Sequence, residues 1–77
     1  MSYKQFIKDR DEALLSLDRK QIEAYNRKYG IPMPTNDKSF WGGIHKARLA
    51  ITYFPEEAKE ISRRWLKENG FREGIFE

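Results

Sequence analysis

Apolar residues recur every three or four positions through most of the chain, which is the spacing of amphipathic helices. Four segments with this spacing predict helices at about 3–16, 19–29, 38–53 and 55–69. Short connections between helices usually leave neighbouring helices antiparallel. We therefore predict an all-α fold, with two helical hairpins in one four-helix domain over residues 1–77, a proline-containing loop at 30–37 and a short tail at 71–77.

The start of the second helix carries the clearest local pattern. Asp18 and Gln21 have the spacing of a capping box, and Leu17 and Ile22 stand at the two positions of a hydrophobic staple. Gly30 is a typical left-handed stop at the other end of this helix. These residues predict a tight turn between the first two helices.

The connecting loop carries two prolines, and a residue that precedes proline is biased away from helix. We expect its apolar residues, Ile31 and Met33, to lie on the core. Asp37 is the expected N-cap of the third helix, with Asn36 and Ser39 as alternatives.

The apolar stripes of the four helices predict one shared core. On the third helix the stripe follows the three-four spacing of an inward face, and Pro55 opens the fourth helix at its first position. The predicted core residues are Phe6, Leu14, Ile22, Tyr25, Phe40, Ile44, Ile51, Ile61 and Trp65.

Length and composition restrict what can stabilise this fold. A chain of 77 residues makes one domain at most, and its core supplies roughly 3–5 kcal/mol. The chain has no Cys and one His, which excludes disulfides and a structural zinc site. Helix packing remains, or burial against another copy or another protein.

Charge and hydropathy indicate the setting. There are 15 basic and 12 acidic residues, and this mild positive excess permits phosphate contact without demanding it. No apolar run reaches the ~18–20 residues of a membrane span, and the N-terminus lacks a signal core. The absence of Cys fits a reducing compartment, so we expect a cytoplasmic protein without membrane contact.

Two adjacent glycines, Gly42 and Gly43, lie in the third predicted helix. They allow two interpretations. Glycine permits a close approach by a neighbouring helix, such as the one that carries Trp65. Bare backbone N–H groups near a helix start can instead bind an anion, with basic side chains nearby.

One helical face carries Trp41, His45 and Arg48, with Lys46 nearby, and it lies beside the predicted core stripe. An aromatic plate, an imidazole and a guanidinium could stack on a base and hold a phosphate. The alternative is a boundary tryptophan with a solvated polar rim. We name Trp41, Gly42, Gly43, His45, Lys46 and Arg48 as the candidate binding set.

A secondary basic group, Arg63, Arg64 and Lys67, lies in the later turns of the fourth helix. Cations there complement the helix dipole, which is the default explanation. If the basic groups converged on one side, they would form a surface that binds successive phosphates of a nucleic-acid backbone.

Catalytic chemistry is not indicated. The serines lie at caps or on helix surfaces without an obvious base, and four short helices hardly provide a cleft for paired carboxylates. We predict no catalytic residue, no metal site and no cofactor, and therefore no enzyme.

The strings FWGGIHKARLAI and FPEEAKEISRRWLKENGF resemble small uncharacterised proteins encoded in phages and prophages of Gram-positive bacteria. The shared pattern is an aromatic pair, His-Lys-Ala, a Pro-Glu-Glu helix start and Trp-Leu before Gly-aromatic. The opening KDRDEALLSLD is similar as well. The resemblance implies a phage setting, in the cytoplasm of the host bacterium, and no particular activity.

Two classes of function follow. The first is a non-enzymatic protein that binds another protein, such as a host or defence factor, or its own copy, with Trp41 or Tyr53 as an aromatic anchor. The second is an anion-binding module for nucleotides or nucleic-acid phosphates, which would use the start and polar face of the third helix.

Overall fold

The computed structural model describes residues 2–71, and all regular structure within them is helical. The helices are α1 (Tyr3–Ser16), α2 (Arg19–Lys28), α3 (Asp37–Ala50) and α4 (Glu56–Glu68). Helix α1 packs against α2, and α3 packs against α4. The predicted all-α fold of two hairpins is confirmed.

The chain divides into two compact units between Met33 and Pro34. The first unit contains the α1–α2 hairpin, and the second contains the α3–α4 hairpin. Each unit has its own helix contacts and its own buried side chains. The single domain with one shared core stays a prediction, and the predicted tail beyond Phe71 lies outside the described residues.

Side-chain hydrogen bonds build the turn between α1 and α2. The Ser16 hydroxyl donates to the Ala13 carbonyl at 2.7 Å and accepts from the Asp18 amide at 3.1 Å. The Asp18 carboxylate then accepts the Lys20 amide at 3.0 Å and caps α2. Between them Leu17 adopts a left-handed conformation with φ of 51°. This conformation costs a non-glycine residue roughly 1–2 kcal/mol, which the surrounding bonds offset.

A polar clamp joins α1 to α2 through the Asp9 carboxylate. It accepts hydrogen bonds from the Tyr29 hydroxyl at 2.5 Å, from Lys28 Nζ at 2.9 Å and from Gln5 Nε2 at 2.8 Å. These bonds, that of Tyr29 foremost, lower the pKa of Asp9 to about 2. The Phe6 ring also meets the Tyr29 ring edge-on at 4.9 Å.

The core of the first hairpin is small. Ala13, Leu14 and Ile22 are its buried apolar side chains. Phe6 and Tyr25 are half-buried, with ring centroids 6.0 Å apart. The prediction is confirmed for Leu14 and Ile22, whereas Phe6 and Tyr25 line the edge of this core.

Helices α2 and α4 end in the same way. The first residue after Gly30 donates its amide to the Asn26 carbonyl at 2.8 Å, and the Phe71 amide donates to the Leu66 carbonyl at 2.9 Å. Gly30 and Gly70 have φ of 65° and 81°, a conformation that glycine adopts without steric cost. The predicted stop at Gly30 is confirmed, and Gly70 ends α4 in the same way.

The loop after α2 differs from the prediction. Ile31 and Met33 are exposed, so the expectation that they lie on the core was wrong. The prolines that follow each of them hold these residues extended, so the loop makes no fold back towards the helices. The loop ends at Asn36, whose side-chain oxygen accepts a hydrogen bond from the Ser39 amide at 2.8 Å. Asn36, and not Asp37, is therefore the N-cap of α3.

Helix α3 ends at Ala50, three residues before the predicted end at 53. Ile51 is extended, with φ of −92° and ψ of 102°, and its carbonyl accepts the Phe54 amide at 3.1 Å. This turn buries the Phe54 side chain. Pro55 follows at the N-cap of α4, one residue before the first helical position that was predicted for it, and its missing N–H removes no helical bond.

Replacing Asn36 tests which residue caps α3. Asn36→Ala removes the acceptor for the Ser39 amide and should lower the free energy of unfolding by ~1 kcal/mol. Asn36→Ser keeps an oxygen at this position and should leave stability nearly unchanged. Urea denaturation compares the two variants, and an equal loss in both would contradict this role of the side chain.

Candidate functional site

The facing sides of α3 and α4 only partly match the apolar stripes that the sequence predicts. Phe40 is buried as predicted, Ile44, Ile51 and Trp65 are half-buried, and Ile61 is 51% exposed, so its place in the core was a wrong prediction. The buried stripes also include polar residues. The residues buried in the two helices are Phe40, Gly42, His45 and Arg48 on α3 and Ala58, Ser62 and Leu66 on α4.

His45 lies inside the second hairpin and is 3% exposed. Its Nδ1 is 2.9 Å from the hydroxyl oxygen of Ser62, which is 0% exposed, and its ring stacks on Trp65 at 4.6 Å. Burial, and then the charge of Arg48, lowers the pKa of His45 to about 4. The imidazole is thus neutral at pH 7, and the expectation that it faces outward was wrong.

Arg48 lies one turn further along α3 and is 2% exposed. Its Nη2 donates to the Ala58 carbonyl at 2.9 Å, and burial lowers the pKa of the guanidinium. The expectation of a reachable guanidinium was therefore wrong. Arg48 and His45 act as positioning residues of the hairpin, because each bonds to a different turn of α4.

These two contacts set the register of α3 against α4. His45 meets Ser62, and Arg48 meets Ala58, so the pairing advances along α3 as it retreats along α4. Small side chains at 58 and 62 leave room for the ring and the guanidinium. A buried polar group that is hydrogen-bonded only in one register disfavours the others, since a shifted register would leave it unsatisfied.

Gly42 and Gly43 have different surroundings. A Cβ added at Gly42 would lie 2.6 Å from Cζ of Phe71, whereas one added at Gly43 would meet nothing within 4 Å. The close-approach interpretation is thus supported for Gly42. The predicted neighbour was the helix that carries Trp65. The observed neighbour is the Phe71 ring.

Two lysines of α3 lie close to the Phe71 ring. Lys46 Nζ is 4.6 Å from its centroid, and Lys38 Nζ is 5.6 Å away. Such cation–π contacts are worth roughly 0.5–1 kcal/mol at exposed sites. With Gly42 against the tip of the ring, these contacts hold Phe71 against α3.

Trp41 is half-buried at the edge of this aromatic group. Its ring stacks on Phe40 with centroids 5.0 Å apart and lies 6.3 Å from the His45 ring. The structure therefore brings Trp41 and His45 together, as predicted, but on the inner side of the hairpin. Of the candidate set, Gly43 remains exposed, and Trp41 and Lys46 are partly exposed.

The start of α3 has its own acceptor. The Asn36 side chain accepts the Ser39 amide, and Asp37 places a carboxylate in the first turn. Both occupy the positive end of the helix dipole, where an anion would bind. This arrangement weakens the anion-site interpretation of the glycine pair.

The secondary basic group is partly neutralised. Arg63 Nη1 donates to Glu56 at 2.7 Å and to Glu60 at 3.1 Å, and the bond from Arg63 lowers the pKa of Glu56. Arg64 and Lys67 are exposed. Because Arg63 is paired with two acidic residues, it adds little positive charge to a phosphate-binding surface.

Ser62 is the structural residue that the sequence-based prediction missed. It was assigned to a helix surface because its side chain is polar. Its position four residues after Ala58 and four before Leu66 places it on the same face as both. Spacing alone, without hydropathy, would have placed it on this face, although not opposite His45.

Comparison with protein-family models, curated proteins and solved structures gives no match. Within residues 2–71, no helix has both the length and the apolar character to cross a membrane. The same residues contain no group of three His, Asp or Glu side chains that could hold a metal ion.

Acid should destabilise the second hairpin in a defined pH window. His45 has a pKa of 6.5 when unfolded and about 4 when folded, so the unfolded chain binds more protons between these values. The contribution of His45 to the free energy of unfolding should be fully present above pH 6.5 and should fall by up to ~3 kcal/mol as the pH approaches 4. Urea midpoints followed by the fluorescence of Trp41 and Trp65, both in this hairpin, measure the loss.

His45→Gln is the matched variant. It should be less stable at pH 7, but its stability should change little between pH 7 and 5, because it lacks the titrating ring. An equal slope in both proteins would show that His45 titrates normally.

Alanine substitutions at the two glycines should have different effects. Gly43→Ala should stabilise the chain by up to ~1 kcal/mol, because alanine favours helix and the site is open. Gly42→Ala should lose that gain or be less stable than the parent, because its methyl group displaces the Phe71 ring. Thermal unfolding distinguishes the two, and equal stabilisation would exclude a tight contact at Gly42.

Proposed function

We propose that this chain is a non-enzymatic binding protein that acts by contact with another protein or with its own copy. The support is a contrast in burial. Among residues 2–71, seven apolar residues are buried, and four of these are alanine or lie in the small first core. Six large apolar side chains are at least 37% exposed: Tyr3, Leu15, Ile31, Met33, Tyr53 and Ile61.

A small core with exposed apolar side chains favours a partner. Cores of this size supply only a few kcal/mol, and small domains often gain stability by association. Scattered single apolar residues are ordinary on any surface, so the proposal depends on how a particular residue is presented. Tyr53 is that residue.

Tyr53 lies in the turn between α3 and α4 and is 63% exposed. Its ring meets the buried Phe54 ring edge-on at 5.7 Å. A tyrosine supported by a fixed neighbour adds contact area with little loss of side-chain entropy on binding. Tyrosine is also enriched among the residues that dominate interface energies. Tyr53 is therefore the proposed anchor.

The contact between His45 and Ser62 does not favour catalysis. A nucleophile and base must both reach the substrate, and Ser62 is 0% exposed. The pair joins two helices and leaves no room for a reacting group. This supports the non-enzymatic part of the proposal.

The anion-binding alternative has lost the observations that favoured it. His45 and Arg48 are buried, Arg63 pairs with two acids, and the start of α3 is capped by Asn36. No nucleotide or nucleic-acid role is proposed for these residues. We also propose that the protein acts in a phage or prophage setting, within the cytoplasm of the host bacterium. Only the sequence resemblance supports this part of the proposal.

Tyr53 provides the test. Tyr53→Ser should leave unfolding nearly unchanged, because the side chain is exposed, but should weaken association by more than about tenfold, as expected for an interface anchor. Sedimentation over a range of concentrations measures self-association. A photo-crosslinking residue at Tyr53, expressed in bacterial cells, tests for another protein.

The control places the same photo-crosslinking residue at Lys20, an exposed position on α2. The proposal expects a discrete adduct from position 53 and none from position 20. A strict monomer that gives no adduct from position 53 would refute it.

A further inference from the structure

A groove lies between α1 and α2 in the first hairpin, with a volume of about 210 Å³. Its apolar part is formed by Ala13, Ala24 and the Tyr25 ring. The groove exists because two alanines stand where longer side chains would fill the space between the helices. Small-molecule sites usually measure roughly 300–1,000 Å³, so this groove fits one side chain better than a cofactor.

The polar lining carries a net negative charge. Asp9, Glu12 and Lys28 contribute two carboxylates and one ammonium group. Asp9 is ionised at neutral pH, since its pKa is about 2, and its carboxylate already binds Lys28 at 2.9 Å. Glu12, on the same side of α1, is exposed and adds a second carboxylate. This groove is locally acidic in a chain of net charge +3.

We propose that the groove receives one arginine side chain of a protein partner. The aliphatic stem lies on Ala13 and Ala24, and the guanidinium reaches the Glu12 carboxylate beside the Tyr25 ring. This inference rests on the proposed function, because it names the chemistry of the partner that the chain binds.

Three features favour arginine over other occupants. An apolar floor that ends at a carboxylate matches a side chain with an apolar stem and a charged head. The Tyr25 ring lines the groove, and aromatic rings bind arginine more often than lysine. Asp9 accepts three hydrogen bonds already, so Glu12 provides the open carboxylate for a planar, two-pronged donor. An anionic or wholly apolar side chain would leave Glu12 without a counter-charge.

The probe is blocked arginine, N-acetyl-arginine methylamide, titrated into the ¹⁵N-labelled full chain. Blocked citrulline, which has the same shape without the charge, is the matched ligand control. Backbone amide shifts should concentrate at Ala13, Ala24 and Tyr25 with arginine and be much smaller with citrulline. Blocked lysine should bind more weakly than arginine.

Two variants test the two parts of the groove. Glu12→Gln should weaken the titration by about fivefold, which corresponds to an ion pair of ~1 kcal/mol. Ala24→Leu fills the groove at an exposed helical position and should abolish the shifts. Glu68→Gln and Ala50→Leu make the same changes at exposed positions on α4 and α3, and they should have no effect.

Three outcomes overturn the inference: shifts scattered over the surface, equal shifts with citrulline, or unchanged binding in Glu12→Gln. These results do not depend on a partner or on Tyr53. If arginine binds but no adduct forms at position 53, the groove stands and the Tyr53 anchor fails. If the adduct forms but arginine does not bind, protein binding stands without this pocket.

Discussion

The second hairpin depends on two polar contacts inside it, from His45 to Ser62 and from Arg48 to the Ala58 carbonyl. Each places a hydrogen-bonding group where water cannot replace its partner. Burial of such groups is favourable only when they are bonded, so the contacts specify how α3 lies against α4. The rest of the hairpin follows from that register, including the stacking of Trp65 on His45.

The two hairpins reach similar ends by different means. The first is joined by the Asp9 clamp near its surface, where water competes for the same groups. The second is joined by polar groups within it. The second helix of each hairpin, α2 or α4, nevertheless ends in the same glycine motif. After the glycine, one backbone hydrogen bond joins the chain back to the end of the helix. Local sequence decides the helix ends, whereas the contacts between helices differ.

Much of the architecture was predictable because helix ends are local. Gly30 and Asp18 define their helix boundaries through bonds to neighbours a few residues away, as predicted, although Asp18 accepts the Lys20 amide and not the Gln21 amide of a capping box. The inner faces were less predictable. A hydropathy stripe assumes that polar residues point outward, so it selected Ile61 and omitted Ser62. A partner on another helix, which local spacing does not reveal, reversed that assignment.

The candidate binding site failed for the same reason. His45 and Arg48 were predicted to be accessible because they are polar and lie beside an apolar stripe. Their hydrogen-bond partners on α4 made burial favourable instead. Trp41 and Gly42 were singled out correctly as unusual, but their neighbours are aromatic rings of the chain itself. The residues that remain open to a partner, such as Tyr53, attract attention only when their exposure is known.

Leu17 has a consequence for the lifetime of the protein. A leucine in a left-handed conformation keeps roughly 1–2 kcal/mol in the α1–α2 turn. Relative to the same turn without this strain, that energy should raise the fraction of molecules with an open first hairpin by about tenfold. Because proteases cleave open segments, we expect the first hairpin to be cleaved faster than it would be with glycine at position 17.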